Sequence, residues 1–273
     1  MSSTEPYIND SLRWVAVEVR YPPVEELAVG VPTAFRDRVH DDFPILEPQT
    51  QFALSIGPAA PIPQQSFAHR FLRRDRLMSV MVSHDAAVLE ATIYKGWTDF
   101  LDTFLSTLKA LQESVALEGI VRIGLRYIDE IRVPAPHASL RSWSDWINER
   151  LIGPILLDDE SEPANCTIAI QYGEPPGYVT LFRAAPFSSG RAVQEQGPLR
   201  MPISTPDGPY FLLDTDASWA DPDRTIPEFD VDNIRDILAR LHSSCIRLYE
   251  ASITPKLRTE ILERPREEEV YGS

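Results

Sequence analysis

Two cysteines in 273 residues, Cys166 and Cys245, are too few for a disulfide framework, and no C-x-x-C pair is present to hold a metal. They read as small buried hydrophobes. The five histidines are scattered, without H-x-x-x-H, H-E-x-x-H or Cys/His clustering, which argues against a structural zinc or a zincin site. Neither G-x-S-x-G, Walker A nor G-x-G-x-x-G occurs, so no catalytic residue, metal or cofactor is expected. No apolar run approaches the roughly 20 residues that cross a bilayer, and Met1-Ser2-Ser3-Thr4-Glu5-Pro6 has neither the basic region nor the apolar run of a leader. The expectation is a cytoplasmic protein without membrane contact. Positive charge is also short. Twenty-six Lys and Arg face 41 Asp and Glu, a formal charge of −15, which disfavours non-specific nucleic-acid binding and favours a basic protein partner.

What is present is the pattern of an α+β protein. Trp14-Val15-Ala16-Val17-Glu18-Val19-Arg20-Tyr21 is a strand, and Pro22-Pro23 stops it and opens a helix toward His40. Short strands follow at 50–56, 67–74, 77–83 and 86–94, close enough for an antiparallel meander. After Gly96, the residues Trp97, Phe100, Leu101, Phe104, Leu105, Leu108, Leu111 and Val115 recur at i, i+3 and i+4, the stripe of a long helix ending near Gly119. The second half repeats that order. Residues 120–133 form a strand, 142–151 a short helix, and 166–173, 178–185 and 210–217 three more strands. A long helix capped by Asp230 then carries Ile234, Ile237, Leu238, Leu241, Cys245 and Leu248, before a final short helix at Thr254-Pro255.

The expected fold is therefore two pseudo-repeated β-α-β-β-β(-β)-α units, each an antiparallel sheet covered by its own long helix. The corresponding segments are a mobile start at 1–11, halves at 12–119 and 120–263, as two domains or as one shared domain, and a mobile tail at 264–273.

Strand alternation sorts the charged residues. Arg122, Arg126, Glu130 and Arg132 project to one side of their strand and Ile123, Leu125, Tyr127 and Ile131 to the other, while Glu18 and Arg20, and Glu90 and Thr92, alternate in the same way. Two explanations stay open: a solvated face carrying weak exposed ion pairs, or arginines arranged to bind an anion or carboxylate. Gly124 inside the strand marks a bend or a close approach. The candidate ligand- or partner-binding residues are Arg122, Arg126, Tyr127, Glu130 and Glu90.

Other combinations carry less. Asp214-Thr215-Asp216 looks like a D-x-D pair of phosphotransfer chemistry, but only 57 residues follow it, and strand-end carboxylates near a turn are the simpler reading. His242 and Cys245 share a helix with intervening serines whose successive positions do not face one another. The basic cluster Arg70, Arg73, Arg74 and Arg76 reads as a solvated hairpin tip. The acidic run from Asp158 to Glu162 lacks the ligand spacing of a calcium loop.

Four strings carry a resemblance: Arg20-Tyr21-Pro22-Pro23-Val24-Glu25, Tyr94-Lys95-Gly96-Trp97, Arg122-Ile123-Gly124-Leu125-Arg126-Tyr127-Ile128-Asp129-Glu130, and the close from His242 to Ser252-Ile253-Thr254. Together they resemble a sporadically distributed, uncharacterised bacterial family of about this length, with Arg-Ile-Gly-Leu-Arg-Tyr-Ile as the most specific string. The resemblance implies no activity and no catalytic residues. Its patchy distribution implies an accessory role such as defence or toxin neutralisation.

The functional expectation is a non-catalytic binding protein that uses its acidic surface and a sheet face to hold a basic protein partner. The alternative is a small-ligand sensor or enzyme with a pocket between the halves. An exposed edge strand would also permit a homodimer.

Overall fold

A computed structural model describes residues 7, 11–52, 66–133, 140–158, 160–161, 165–193, 198–202 and 208–263. The chain runs β1 (Leu12–Arg20), α1 (Glu25–Val29), α2 (Thr33–Val39), β2 (Ile45–Phe52), β3 (Ser66–Leu72), β4 (Met78–Val82), β5 (Ala86–Ala91), α3 (Trp97–Gln112) and β6 (Arg122–Ile131). It continues through a 3₁₀ turn (Leu140–Asp145), α4 (Glu149–Ile152), β7 (Ile168–Glu174), β8 (Tyr178–Phe187), β9 (Tyr210–Trp219), α5 (Val231–Ser252) and α6 (Pro255–Leu257). The 264–273 tail and all of 1–10 except Tyr7 lie outside the described residues. Ser11, placed in the mobile start by the sequence, is buried and donates its hydroxyl to Asp129 at 2.9 Å.

All nine strands form one antiparallel sheet in the order β2-β3-β4-β5-β1-β6-β9-β8-β7. This corrects the expectation of two sheets, each under its own helix. The reason is the β1–β6 ladder, in which Val15 faces Tyr127, Val17 faces Leu125 and Val19 faces Ile123. Paired residues share a face of a sheet, so this register joins the two apolar faces into one floor. Both long helices pack on that floor: Phe100, Phe104, Leu108 and Leu111 of α3 and Ile234, Leu238, Leu241 and Cys245 of α5 belong to one buried cluster with Val17, Leu89 and Leu125. The same pairing merges the two charged faces on the other side.

Side-chain caps mark the starts of α4, α5 and α6. Asp230 accepts from the Asp232 N–H at 2.9 Å and starts α5, and Thr254 accepts from the Leu257 N–H at the start of α6. The helix expected from Pro23 toward His40 is split in two by the Gly30-Val31-Pro32 segment between α1 and α2. The helix expected at 142–151 becomes a 3₁₀ turn followed by α4, because Asn148 caps afresh by accepting from the Arg150 N–H. Trp143, Trp146, Phe211 and Leu213 build a second buried cluster there. Among the described residues, no helix is long and apolar enough to cross a membrane.

Candidate functional site: the ionic face of the sheet

The sheet face turned away from α3 and α5 is built from alternate residues of β1, β3, β4, β5, β6, β8 and β9. Across the central strands, Ser79 pairs with Glu90, Glu90 with Ala16, Ala16 with Arg126 and Arg126 with Asp216, forming one row. Neighbouring rows bring in Glu18 beside Gly124 and Asp214 beside Arg183. Gly124 has no side chain to fill the space between Arg122 and Arg126, which leaves room for guanidinium groups to lie over the sheet.

Three carboxylates on this side each lie between two arginines. Glu18, 1% exposed, accepts from Arg20 Nε and Nη2 at 2.9 and 3.0 Å and from Arg122 Nη1 at 2.9 Å. Asp214 accepts from Arg126 Nε and Nη2 at 2.8 and 2.9 Å and from Arg183 Nη1 at 2.9 Å. Glu130 accepts from Arg132 Nε at 2.9 Å and from the Ala192 N–H at 2.7 Å, with Arg13 Nε at 3.6 Å. A fourth group joins Arg70, Ser79 and Glu90, with Trp14 Nε1 at 3.3 Å from the same carboxylate.

These are not exposed surface pairs. Glu18, Glu90, Glu130, Asp214 and Asp216 are all buried, while Arg122 and Arg126 keep 18% and 20% of their side-chain surface exposed. The carboxylates are sunk into the sheet and the guanidiniums lie above them. Burial works against the charge of Arg126, but its hydrogen bonds to Asp214 and the nearby charges of Asp214 and Asp216 raise its pKa overall. Burial likewise opposes ionisation of Glu130, yet the bonds from Arg132 and Ala192 and the charges of Arg132 and Arg13 hold its carboxyl below the usual range. A carboxylate clamped as Glu130 is holds geometry and is poorly suited to carrying protons.

The five residues singled out from the sequence divide between the two faces. Arg122, Arg126, Glu130 and Glu90 share the ionic face, although Glu90 pairs with Arg70 and not with Arg126. Tyr127 does not belong with them. Its odd-numbered position turns it to the helix side, where its Oη lies 2.9 Å from His242 Nδ1, and His242 in turn stacks on Trp97 at 4.1 Å between ring centroids. Burial raises the Tyr127 phenol and lowers His242 to about 4, so this cluster is a neutral part of the core. Burial also pushes up the Cys245 thiol.

Sequence reasoning missed Asp214, Asp216 and Arg70. The aspartates fall in the middle of β9, which continues to Trp219, and not at a strand end. Arg70 sits inside β3, buried, whereas Arg73, Arg74 and Arg76 belong to the turn that follows. Even spacing along each strand was the signal that could have found them: Asp214 and Asp216 lie two apart, like Glu18 and Arg20.

The junction between the halves is the β1–β6 hydrogen-bonded ladder. Among the described residues, no group of three or more His, Cys, Asp and Glu is placed to hold a metal. Comparison with protein-family models, with curated proteins and with solved structures gives no match.

Proposed function

We propose that this chain is a non-catalytic binding protein that holds a protein partner against the ionic face of its sheet. The observation that carries the reading is the Arg–carboxylate–Arg arrangement at Glu18 and Asp214, in which buried carboxylates fix partly exposed guanidinium forks. A rigid array of donors suits recognition because little side-chain entropy is left to lose on binding. The imidazole of His242 lies on the opposite side of the sheet, so it has no route to a ligand on this face. The net charge of −15 supports a partner of positive overall charge, drawn in by long-range attraction.

Native mass spectrometry of the protein purified gently from its host, at low and at high salt, tests this. A protein-sized excess over 30.8 kDa that dissociates at high salt is the expected result. An excess of a few hundred daltons would replace the partner with a small ligand, and a doubled mass would replace it with a second copy of the chain.

A further inference from the structure

We infer that the Arg126–Asp214–Arg183 cluster is a docking subsite for the carboxylate side chains of an acidic segment on the protein partner, an inference that rests on the function proposed above. Three observations lead to it. Asp214 fixes both guanidiniums: it takes two bonds from Arg126, and its Oδ2 also accepts from Arg183 Nη1. Arg126 Nη1 and Arg183 Nε and Nη2 take no part in these bonds, and the two side chains are 20% and 34% exposed. Further along the same face, Arg122 Nη2 and Arg70 Nε are buried without an acceptor among the described residues. Buried polar groups are ordinarily bonded, and a carboxylate supplies acceptors and no donors.

The Glu130 arrangement is more nearly complete: Arg132 donates its remaining N–H groups to the carbonyls of Gly190 and Gly208 at 2.6 and 2.8 Å. In the Glu18 group Arg20 has Asp85 at 3.6 Å, while Arg122 keeps its Nη2 without an acceptor among the described residues. The Asp214 group is likewise open. The Arg126 fork already binds a carboxylate bidentately, which is the planar geometry that a second carboxylate needs. Arg122 and Arg126 lie four residues apart on one strand, about 13 Å, which matches acidic residues at the same spacing on an extended segment. A single small ion would not span them. Attraction at two ranges is then consistent: the −15 charge steers a basic protein over separations up to about the Debye length of about 8 Å, and the arginine forks act only on contact.

The test is fluorescence anisotropy with a labelled hexaglutamate peptide at low salt, using the full chain. Binding should weaken about five- to tenfold in Arg183→Gln, a change that leaves Asp214 doubly bonded to Arg126 and so keeps the fold. Arg183→Lys should weaken it nearly as much, because the fork is lost although the charge is kept. Arg235→Gln, which removes an exposed pair with Asp102 on the helix side, should leave binding unchanged. Absence of hexaglutamate binding, equal binding by wild type and Arg183→Gln, or competition by inorganic phosphate as strong as by free glutamate peptide would each overturn the inference. Native mass spectrometry separates this from the broader reading: a partner retained by Arg183→Gln as by wild type would leave the binding protein standing and remove the subsite.

Discussion

Replacing Glu18 by Gln keeps the size of the side chain and removes its charge, and the structure dictates an uneven cost around that position. Glu18 is 1% exposed and accepts three charge-assisted hydrogen bonds, two from Arg20 and one from Arg122. Removing one partner of a buried ion pair costs about 3–5 kcal/mol when the charge left behind stays buried. Here the charges left behind are guanidiniums that are 18% and 35% exposed and can be partly rehydrated, which brings the expected loss to about 2–3 kcal/mol. Substituting Arg20 by Gln instead leaves Glu18 bound to Arg122 and removes a side chain already a third in water, for about 1 kcal/mol or less. Urea unfolding reads both: with a slope of about 3 kcal/mol per M for a chain of this size, the Glu18→Gln midpoint falls by close to 1 M and the Arg20→Gln midpoint by about a third of that. Equal shifts for the two variants, or a Glu18→Gln midpoint indistinguishable from wild type, would refute the claim that buried carboxylates organise this face.

Two further outcomes follow from the helix side and the hairpin. Because burial lowers His242 to about 4 from an ordinary 6.5, the neutral imidazole contributes stability that is complete above pH 6.5 and is lost as pH falls from there toward 4, by about 3 kcal/mol in total. Urea midpoints measured from pH 7 to pH 4 should therefore fall more steeply for wild type than for His242→Gln, and parallel curves would show that the ring is not held neutral by the fold. At Gly177 the backbone has φ +76° and an added Cβ would lie 2.1 Å from the Ala220 carbonyl oxygen, so Gly177→Ala should cost about 2 kcal/mol or more. Gly173→Ala on β7, where a Cβ meets nothing within 4 Å, should fall within about 0.5 kcal/mol of wild type by the same assay.

Element identity was readable because it depends on local periodicity. The α3 stripe from Trp97 to Leu111 is buried throughout, the strand expected at 86–94 contains the observed β5, and the one expected at 178–185 matches β8 except for its last two residues. Sheet count was not readable, because it depends on which edge pairs with which. The first strand of each half has one neighbour inside its own half, β5 for β1 and β9 for β6, and nothing within either half specifies what covers its other edge. Each edge pairs with the other, Val17 to Leu125, and only that long-range match turns two sheets into one. The candidate site was readable to the same depth. Alternation placed Arg122, Arg126, Glu130 and Glu90 on a single face, but their partners come from other strands, with a sequence separation of 88 from Arg126 to Asp214.

The same long-range pairing explains why composition misjudges this face. A net charge of −15 describes what a distant molecule senses, and it leads to the expectation of an acidic surface. Closer than a Debye length, the arrangement matters more than the sum. Around Glu18 and Asp214 the carboxylates are the buried members and the arginines the outer ones, because Arg can lay its apolar stem along the strand and keep its head near water while Glu and Asp cannot. An approaching molecule therefore meets guanidinium edges on a protein whose total charge is strongly negative. Adding salt should therefore weaken both the net long-range attraction and any carboxylate contact to the partly exposed Arg126 and Arg183 guanidiniums.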